Sequence, residues 1–260
     1  LYQSHSSAAQ RAARVGRIAE GEVYRLFSQN MLQREMRREP IPQILRTDLT
    51  NILFQLKSLG IDKIVNSDFI TAPYVQSLVK GLENLFQLGA IDKSGDLTTD
   101  LGIILRELPL EPTYGAMLLN SPKFNCTSEI LSIVAMLSFD GIFVPTVTDF
   151  QRLSYAVEEG DHITMLNIYN AFIDSRMSLS WCHKNGINSD TLNKIVAFRS
   201  LLVKYLEHFR ISIQSRSNPI QILKCIASVM PQSNVAILDN GIEGSYRIIG
   251  SRNKRISGLF

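Results

Sequence analysis

Apolar residues recur at helical spacing through most of the chain. Between residues 48 and 59 they occupy positions 49, 52, 53, 56 and 59, which predicts an amphipathic helix ended by Gly60. The same spacing predicts a second helix over 73–88, stopped by Gly89, with these residues on its apolar side: Val75, Leu78, Val79, Leu82, Leu85 and Phe86. Residues 90–92 and 97–98 then predict two short strands around a turn at 93–96. Two helices followed by a small hairpin is the order of elements in a winged helix.

The second half of the chain repeats the helical pattern. We predict helices over 114–119, 128–139, 162–172 and 191–209, the third of them with Asp161 as its N-cap. Beyond Pro219 the pattern changes to two predicted strands, 235–238 and 246–249, around the turn 239–241. A lone hairpin is only marginally stable in water, so we expect this β part to be truncated at its C-terminus. The predicted fold class is mainly α with small β parts.

Composition excludes several classes of protein. The chain has 260 residues, of which 45% are hydrophobic and 20% charged, as in ordinary globular proteins. Its longest nearly apolar run, 131–139, is far shorter than the roughly 20 residues of a membrane span, and no signal peptide is visible. Three cysteines without a CxxC pair fit a reducing compartment rather than a disulfide or zinc framework. The chain starts at Leu1, and we expect it to be a piece of a longer protein.

Positive charge is concentrated near the two ends of the chain. Residues 11–38 contain seven Arg against three Glu, and residues 244–260 contain four basic residues and no acid, although the net charge is only +3. If the segment 10–17 (QRAARVGR) is helical, Gln10, Arg14 and Arg17 lie on one face. One amide and two guanidinium groups can then donate hydrogen bonds to a polyanion such as a phosphate chain. From spacing alone, a solvent-exposed basic helix explains the same pattern.

This segment is similar to the QRxGRxGR motif of superfamily 2 helicases. The stretches around it resemble those of the DEAH-box RNA helicases, in the same order along nearly the whole chain: SHSSAA (4–9), GEVYRLF (21–27), IPQILRT (41–47), LKSLGI (56–61), LGAID (88–92) and EGDH (159–162). The segment 156–172 is most similar to a spliceosome-associated branch of that family. Two prolines, Pro40 and Pro42, separate the Arg-rich head from the first predicted helix.

The resemblance implies a plan of four domains. Residues 1–45 would be the end of a second RecA-like domain, 46–111 a winged helix, 112–215 the helical ratchet bundle of the helicase-associated domain, and 216–260 the start of an OB-fold. ATP with Mg²⁺ would bind between two RecA-like domains. Gln10 would help to order the γ-phosphate and the attacking water, while Arg14 and Arg17 would be the catalytic arginine fingers. Arg11 would point away from them.

The implied activity is that of an ATP-dependent RNA helicase. We expect it to act in pre-mRNA splicing in the nucleus, with RNA, a glycine-patch activator and spliceosomal proteins as partners and with no membrane contact. The chain has no GxxxxGK[ST] loop and no Asp-Glu-Ala-His segment, so we expect it to be inactive alone. A non-catalytic adaptor that binds nucleic acid or protein through a winged helix and a helical bundle is the alternative.

One residue departs from the helicase motif. Three other groups of residues were considered as candidate sites. Ala13 replaces the first glycine of the motif, and its methyl group would interfere if a close backbone approach is needed there, as in a degenerate member of the family. No metal site is expected in the acidic run 158–162, and residues 181–183 predict a packed loop. Several basic residues lie on the last long predicted helix or just after it, and they contact either nucleic acid or solvent: Lys194, Arg199, Lys204, His208 and Arg210.

Overall fold

The computed structural model describes residues 3–64, 67–148, 151–152, 154–215 and 218–230, together with three strands beyond them. The helices in these ranges are α1 (His5–Ala12), α2 (Gln29–Arg34), α3 (Thr50–Ser58), α4 (Val75–Gln87), α5 (Leu101–Glu107), α6 (Pro112–Asn120), α7 (Thr127–Leu137), α8 (Asp161–Asp174), α9 (Leu179–Asn185), α10 (Ser189–His208) and α11 (Pro219–Val229). Short 3-10 helices cover Gln43–Leu45 and Ser121–Phe124. The strands are β1 (Ala236–Leu238), β2 (Ser245–Ile248) and β3 (Arg255–Ser257). The predicted class, mainly α with small β parts, is confirmed.

Helices α3 and α4 occupy the two segments in which the sequence predicts them. A carboxylate oxygen of Asp48 accepts a hydrogen bond from the Thr50 amide at 2.7 Å and so satisfies one of the open N–H groups at the start of α3. Gly60, with φ +80°, follows the end of α3, and Gly89, with φ +75°, follows the end of α4. Both glycines take the left-handed conformation that commonly ends helices.

The predicted hairpin is present as one antiparallel pair, Ile91 with Leu97. Thr98 ties it to α5, because its hydroxyl donates to the Gly89 carbonyl at 2.7 Å and accepts from the Gly102 amide at 2.8 Å. A Cβ on Gly102 would lie only 2.3 Å from the backbone oxygen of residue 90. Helix α5 can therefore cross the hairpin this closely only with glycine at that position.

A continuous hydrophobic core runs from α3 through α6 and α7 to α11, and a second core lies under α8, α9 and α10. In the second core the rings of Phe172 and Trp181 lie 6.1 Å apart, and Cys182 is buried beside them. The prediction of a loop at 181–183 is wrong: these residues lie within α9. The Ser178 hydroxyl accepts from the Trp181 amide and caps the first turn, and Trp181 and Cys182 pack into the second core, which stabilises the helix.

The predicted N-cap of α8 is also wrong. Gly160, with φ +102°, is the N-cap, and Asp161 is the first helical residue without a capping hydrogen bond from its side chain. Glycine reaches this backbone conformation at no steric cost, and a carboxylate in the first turn is still favoured by the helix dipole.

The C-terminal strands form an antiparallel sheet in the order β1, β2, β3. Ala236 pairs with Ile248 and Tyr246 with Ile256. The two predicted strands are confirmed and a third is added, while the predicted turn at 239–241 lies outside the described residues. An OB-fold stays a prediction. Within the described ranges, the helices are too short or too polar to cross a bilayer.

Candidate nucleotide-binding site

Helix α1 is fixed to the chain that follows it by its first turn. The Ser4 hydroxyl accepts from the Ser7 amide at 3.2 Å, as an N-cap does. The amides of His5 and Ser6 donate to the carbonyls of residues 37 and 38 at 2.9 and 3.0 Å. Ala8 is buried behind them. The helix that carries Gln10 is therefore held at its N-terminal end.

Helix α1 ends before it reaches the two arginines of the motif. Its last residue is Ala12, Ala13 is the C-cap at φ −68° and ψ −3°, and Gly16 has φ +79°. The condition of one helix through 10–17, under which the three side chains share a face, is not met, because a glycine with positive φ cannot continue a right-handed helix. Arg14 and Arg17 lie instead in the turns that follow α1.

Gln10, Arg14 and Arg17 are all exposed to solvent. The Nε atom of Arg17 donates to the Ala13 carbonyl at 3.1 Å, an oxygen at the helix end that has no helical donor. In the described part of the chain, neither arginine lies within ion-pair distance of an acidic group. The amide and the two guanidinium groups thus remain open toward solvent within one short stretch, a donor set that suits phosphate oxygens.

The described residues contain no cluster of side chains that could bind a metal ion. Among the described residues, no three His, Cys, Asp or Glu side chains come close enough to hold a metal ion. The side chains near the motif that could contact ATP with Mg²⁺ are therefore suited to its phosphate groups rather than to its metal.

Arg199 connects three helices, a contact that the sequence did not predict. Its Nε donates to the Ser132 hydroxyl at 2.9 Å, and its Nη2 donates to the Ser128 hydroxyl at 3.0 Å and to the Ser128 carbonyl at 3.3 Å. The guanidinium carbon lies 5.7 Å from the ring centre of Tyr169 on α8. Burial raises the pKa of the Tyr169 phenol, and the Arg199 charge opposes that rise. Arg199 is therefore partly buried, and its guanidinium group is bound within the helical bundle rather than fully solvated.

The sequence carried a signal for this contact. Ser128 and Ser132 are four residues apart on α7, a helix whose other side chains are mostly apolar and buried. Two hydroxyl groups on one face of such a helix favour a polar partner from a neighbouring element, although the Ser132 hydroxyl also donates to the Ser128 carbonyl at 3.2 Å. The other basic residues named with Arg199 are exposed: Lys194, Lys204, His208 and Arg210.

Comparisons with known proteins identify the regions around the site. Residues 81–110 match the winged-helix model of the helicase associated domain (HA2), and residues 111–165 match its ratchet-like model. The chain is 39% identical over 231 residues to the probable ATP-dependent RNA helicase DHX35 of Pongo abelii and of Homo sapiens. A DHX35 homolog of Caenorhabditis elegans is 37% identical over 213 residues.

These alignments cover most of the chain but a small part of its relatives. They include 86% of the chain for the first two relatives and 80% for the third, against 32%, 33% and 29% of the relatives themselves. The chain thus spans about a third of the length of the curated relatives it matches. The matched models and the identity along the chain lead to one conclusion: the chain contains the winged-helix and ratchet-like regions of the helicase associated domain and is similar, over most of its length, to part of these probable ATP-dependent RNA helicases.

Proposed function

We propose that the protein containing this chain is an ATP-dependent RNA helicase that couples ATP hydrolysis to movement along RNA and to its unwinding. The observation that supports this most is the exposed set of Gln10, Arg14 and Arg17, which lies N-terminal to the helicase-associated regions in the same chain. The names of the relatives point to the same activity. The chain itself would be inactive, because it lacks the phosphate-binding loop and the Asp-Glu-Ala-His segment.

The three exposed side chains have separate tasks in this proposal. When bound, ATP with Mg²⁺ supplies the γ-phosphoryl group that is transferred to water. The Gln10 amide orients the attacking water. The guanidinium groups of Arg14 and Arg17 stabilise the charge that develops on the equatorial oxygens, a contribution of about 10³–10⁵ in kcat for arginine fingers. Helix α1, held at its first turn, carries Gln10, and the turns that follow it carry Arg14 and Arg17.

A protein partner is proposed for the outer face of α4. The sequence placed six apolar residues on one side of this helix, yet only part of that side is in the core. Val75, Val79 and Phe86 are 66%, 47% and 47% exposed. An exposed apolar strip of this kind suits an amphipathic segment of a partner, and we propose a glycine-patch activator. Val79→Glu should abolish binding of such a protein, whereas Lys80→Glu, at the next position on α4, should leave most of it.

The process and the compartment are proposed on the sequence alone. The likeness of 156–172 to a spliceosome-associated branch supports a role in pre-mRNA splicing in the nucleus with spliceosomal proteins as partners. Co-purification of the tagged full-length protein with spliceosomal RNA from nuclei tests both proposals, and its recovery free of such RNA would contradict them.

The direct test of the proposed activity is ATP hydrolysis by the full-length protein with and without RNA. A helicase hydrolyses ATP, and RNA raises its rate. An adaptor that only binds nucleic acid would bind RNA with the same winged helix and bundle but show no hydrolysis above background. Measuring RNA affinity in the same samples separates the two functions, because it reports on folded, binding-competent protein even where hydrolysis is absent.

A further inference from the structure

The chain leaves α10 through a short segment that lies against the first turn of α7. This exit segment, residues 211–215, forms no helix or strand, and residues 212–215 are exposed. The Gln214 carbonyl accepts from the Ser128 amide at 2.9 Å, which satisfies one of the open N–H groups at the start of α7. The Ser215 hydroxyl donates to the Oε1 atom of Glu129 at 2.5 Å. These two hydrogen bonds attach the exit segment to α7.

The carboxylate that binds Ser215 is almost completely buried. Glu129 is only 8% exposed, and in the described part of the chain its second oxygen, Oε2, has no hydrogen-bond partner. Among the same residues, no lysine or arginine lies within ion-pair distance of this carboxylate. Burying a charge costs free energy unless the charge is paired. The site therefore accommodates the neutral Ser215 hydroxyl but offers no positive group to offset a second negative charge.

We propose that Ser215 is a phosphorylation site and that its modification releases the exit segment from α7. The Ser215 hydroxyl oxygen bonds to the γ-phosphorus of an ATP held by a protein kinase, while the bond from that phosphorus to the bridging oxygen breaks. ADP leaves with the electron pair, and the hydroxyl proton passes to a base of the kinase. The modified side chain has lost its donor to Glu129 and carries about −1.5 to −2 charges at pH 7. Repulsion between two anionic groups then replaces the hydrogen bond.

The exit segment is accessible to such an enzyme. Because residues 212–215 are exposed and belong to no helix or strand, Ser215 can enter a kinase active site without the unfolding of an element. Only the two hydrogen bonds to α7 have to open. The hydroxyls of Ser128 and Ser132, in contrast, lie on a helix and bind Arg199.

Ser212 provides a control on the same segment. It is also exposed, but its hydroxyl accepts from the side-chain amide of Gln214 at 3.3 Å rather than contacting Glu129. If any negative charge on the segment weakened its attachment, both serines would behave alike. If the contact with the buried carboxylate governs release, only Ser215 responds. Release would loosen the connection between α10 and α11, because the exit segment leads from one helix to the other.

The modification itself is tested by phosphopeptide mapping of the full-length protein, purified from its own cells in the presence of phosphatase inhibitors. We predict a phosphate on Ser215, in tryptic peptides that begin at Ile211. Fragmentation of these peptides distinguishes Ser215 from Ser212.

The release is tested by hydrogen exchange of the Ser128 amide, which the exit segment protects in the folded protein. Ser215→Glu should make this amide exchange about tenfold faster or more, because a hydrogen bond to a charged group is lost and repulsion is added. Ser212→Glu should leave the exchange unchanged. Adding Glu129→Gln to Ser215→Glu should restore most of the protection, since the repelling carboxylate is then gone.

Three results would overturn the proposal. One is recovery of the peptides that begin at Ile211 without phosphate on Ser215. Another is equal exchange of the Ser128 amide in Ser215→Glu and Ser212→Glu. The third is slower exchange in Ser215→Glu, which would show that a negative charge tightens the attachment at the start of α7. Amides in the middle of α10 report on global unfolding, and faster exchange there in Ser215→Glu also counts against local release.

Discussion

The guanidinium group of Arg199 joins α7, α8 and α10 through one side chain. We predict that Arg199→Met lowers the free energy of unfolding by about 2 kcal/mol, because hydrogen bonds from a charged group contribute about 1.5–3 kcal/mol and the serine hydroxyls lose their partner. Urea unfolding measures the change. Lys194→Met on the same helix is the control, since its exposed side chain should change stability by no more than about 0.5 kcal/mol. Equal losses in the two variants would contradict the prediction.

Ala13 provides a second test at the scale of one residue. It has an ordinary helical φ of −68°, so its backbone does not require glycine. Any effect on catalysis must then come from its methyl group, which is exposed between Gln10 and Arg14. We predict that Ala13→Gly in the full-length protein raises kcat for ATP hydrolysis, about fivefold if the methyl costs about 1 kcal/mol in the transition state. An unchanged kcat would show that the methyl group does not interfere.

Some residue-level features could be read from the sequence and others could not. The donor types of Gln10, Arg14 and Arg17 are visible in the motif. The conformation of their backbone was not visible, because a helix over 10–17 was inferred from spacing alone. Gly16, with φ +79°, belongs to a turn. The packing of α11 against α6 was also hidden, since only the folded core brings these two helices together.

At the scale of elements, the crossing of α5 over the hairpin depends on Gly102. We predict that Gly102→Ala destabilises the protein by about 2–3 kcal/mol, because the new Cβ would meet the rigid backbone oxygen of Ala90. Gly115→Ala is the matched control on α6: its Cβ would meet the end of the Leu105 side chain, which can move. Thermal unfolding of both variants measures the difference. A smaller loss for Gly102→Ala than for Gly115→Ala would contradict this explanation.

Apolar periodicity predicted most of the helices. It did not predict where each helix begins and ends, because the ends depend on capping residues. Helices α3, α4, α7 and α10 lie within a few residues of their predictions. The start of α8 was misplaced because a glycine rather than an aspartate provides its N-cap. On α4 the predicted apolar side is wider than the core beneath it, so Val75, Val79 and Phe86 lie on that side and are exposed.

At the scale of the whole molecule, the winged-helix region and the bundle share one hydrophobic core. Leu53 on α3, Leu105 on α5 and Leu202 on α10 belong to the same cluster of buried residues. A change in the position of the bundle would therefore be transmitted to the winged helix through packed side chains. The domain limits at 45, 111 and 215 remain predictions, and a shared core means that residue 111 separates two sequence regions rather than two independently packed bodies.

The central claim is that the exposed arginines after α1 act in ATP hydrolysis. The most direct measurement is kcat of RNA-stimulated ATP hydrolysis by the full-length protein and by its variants Arg14→Ala, Arg17→Ala and Arg11→Ala. The first two should lose about 10³-fold or more in kcat. Arg11→Ala removes an equally exposed positive charge from the end of α1 and should stay close to the unchanged protein. Equal rates for Arg17→Ala and Arg11→Ala would contradict the account.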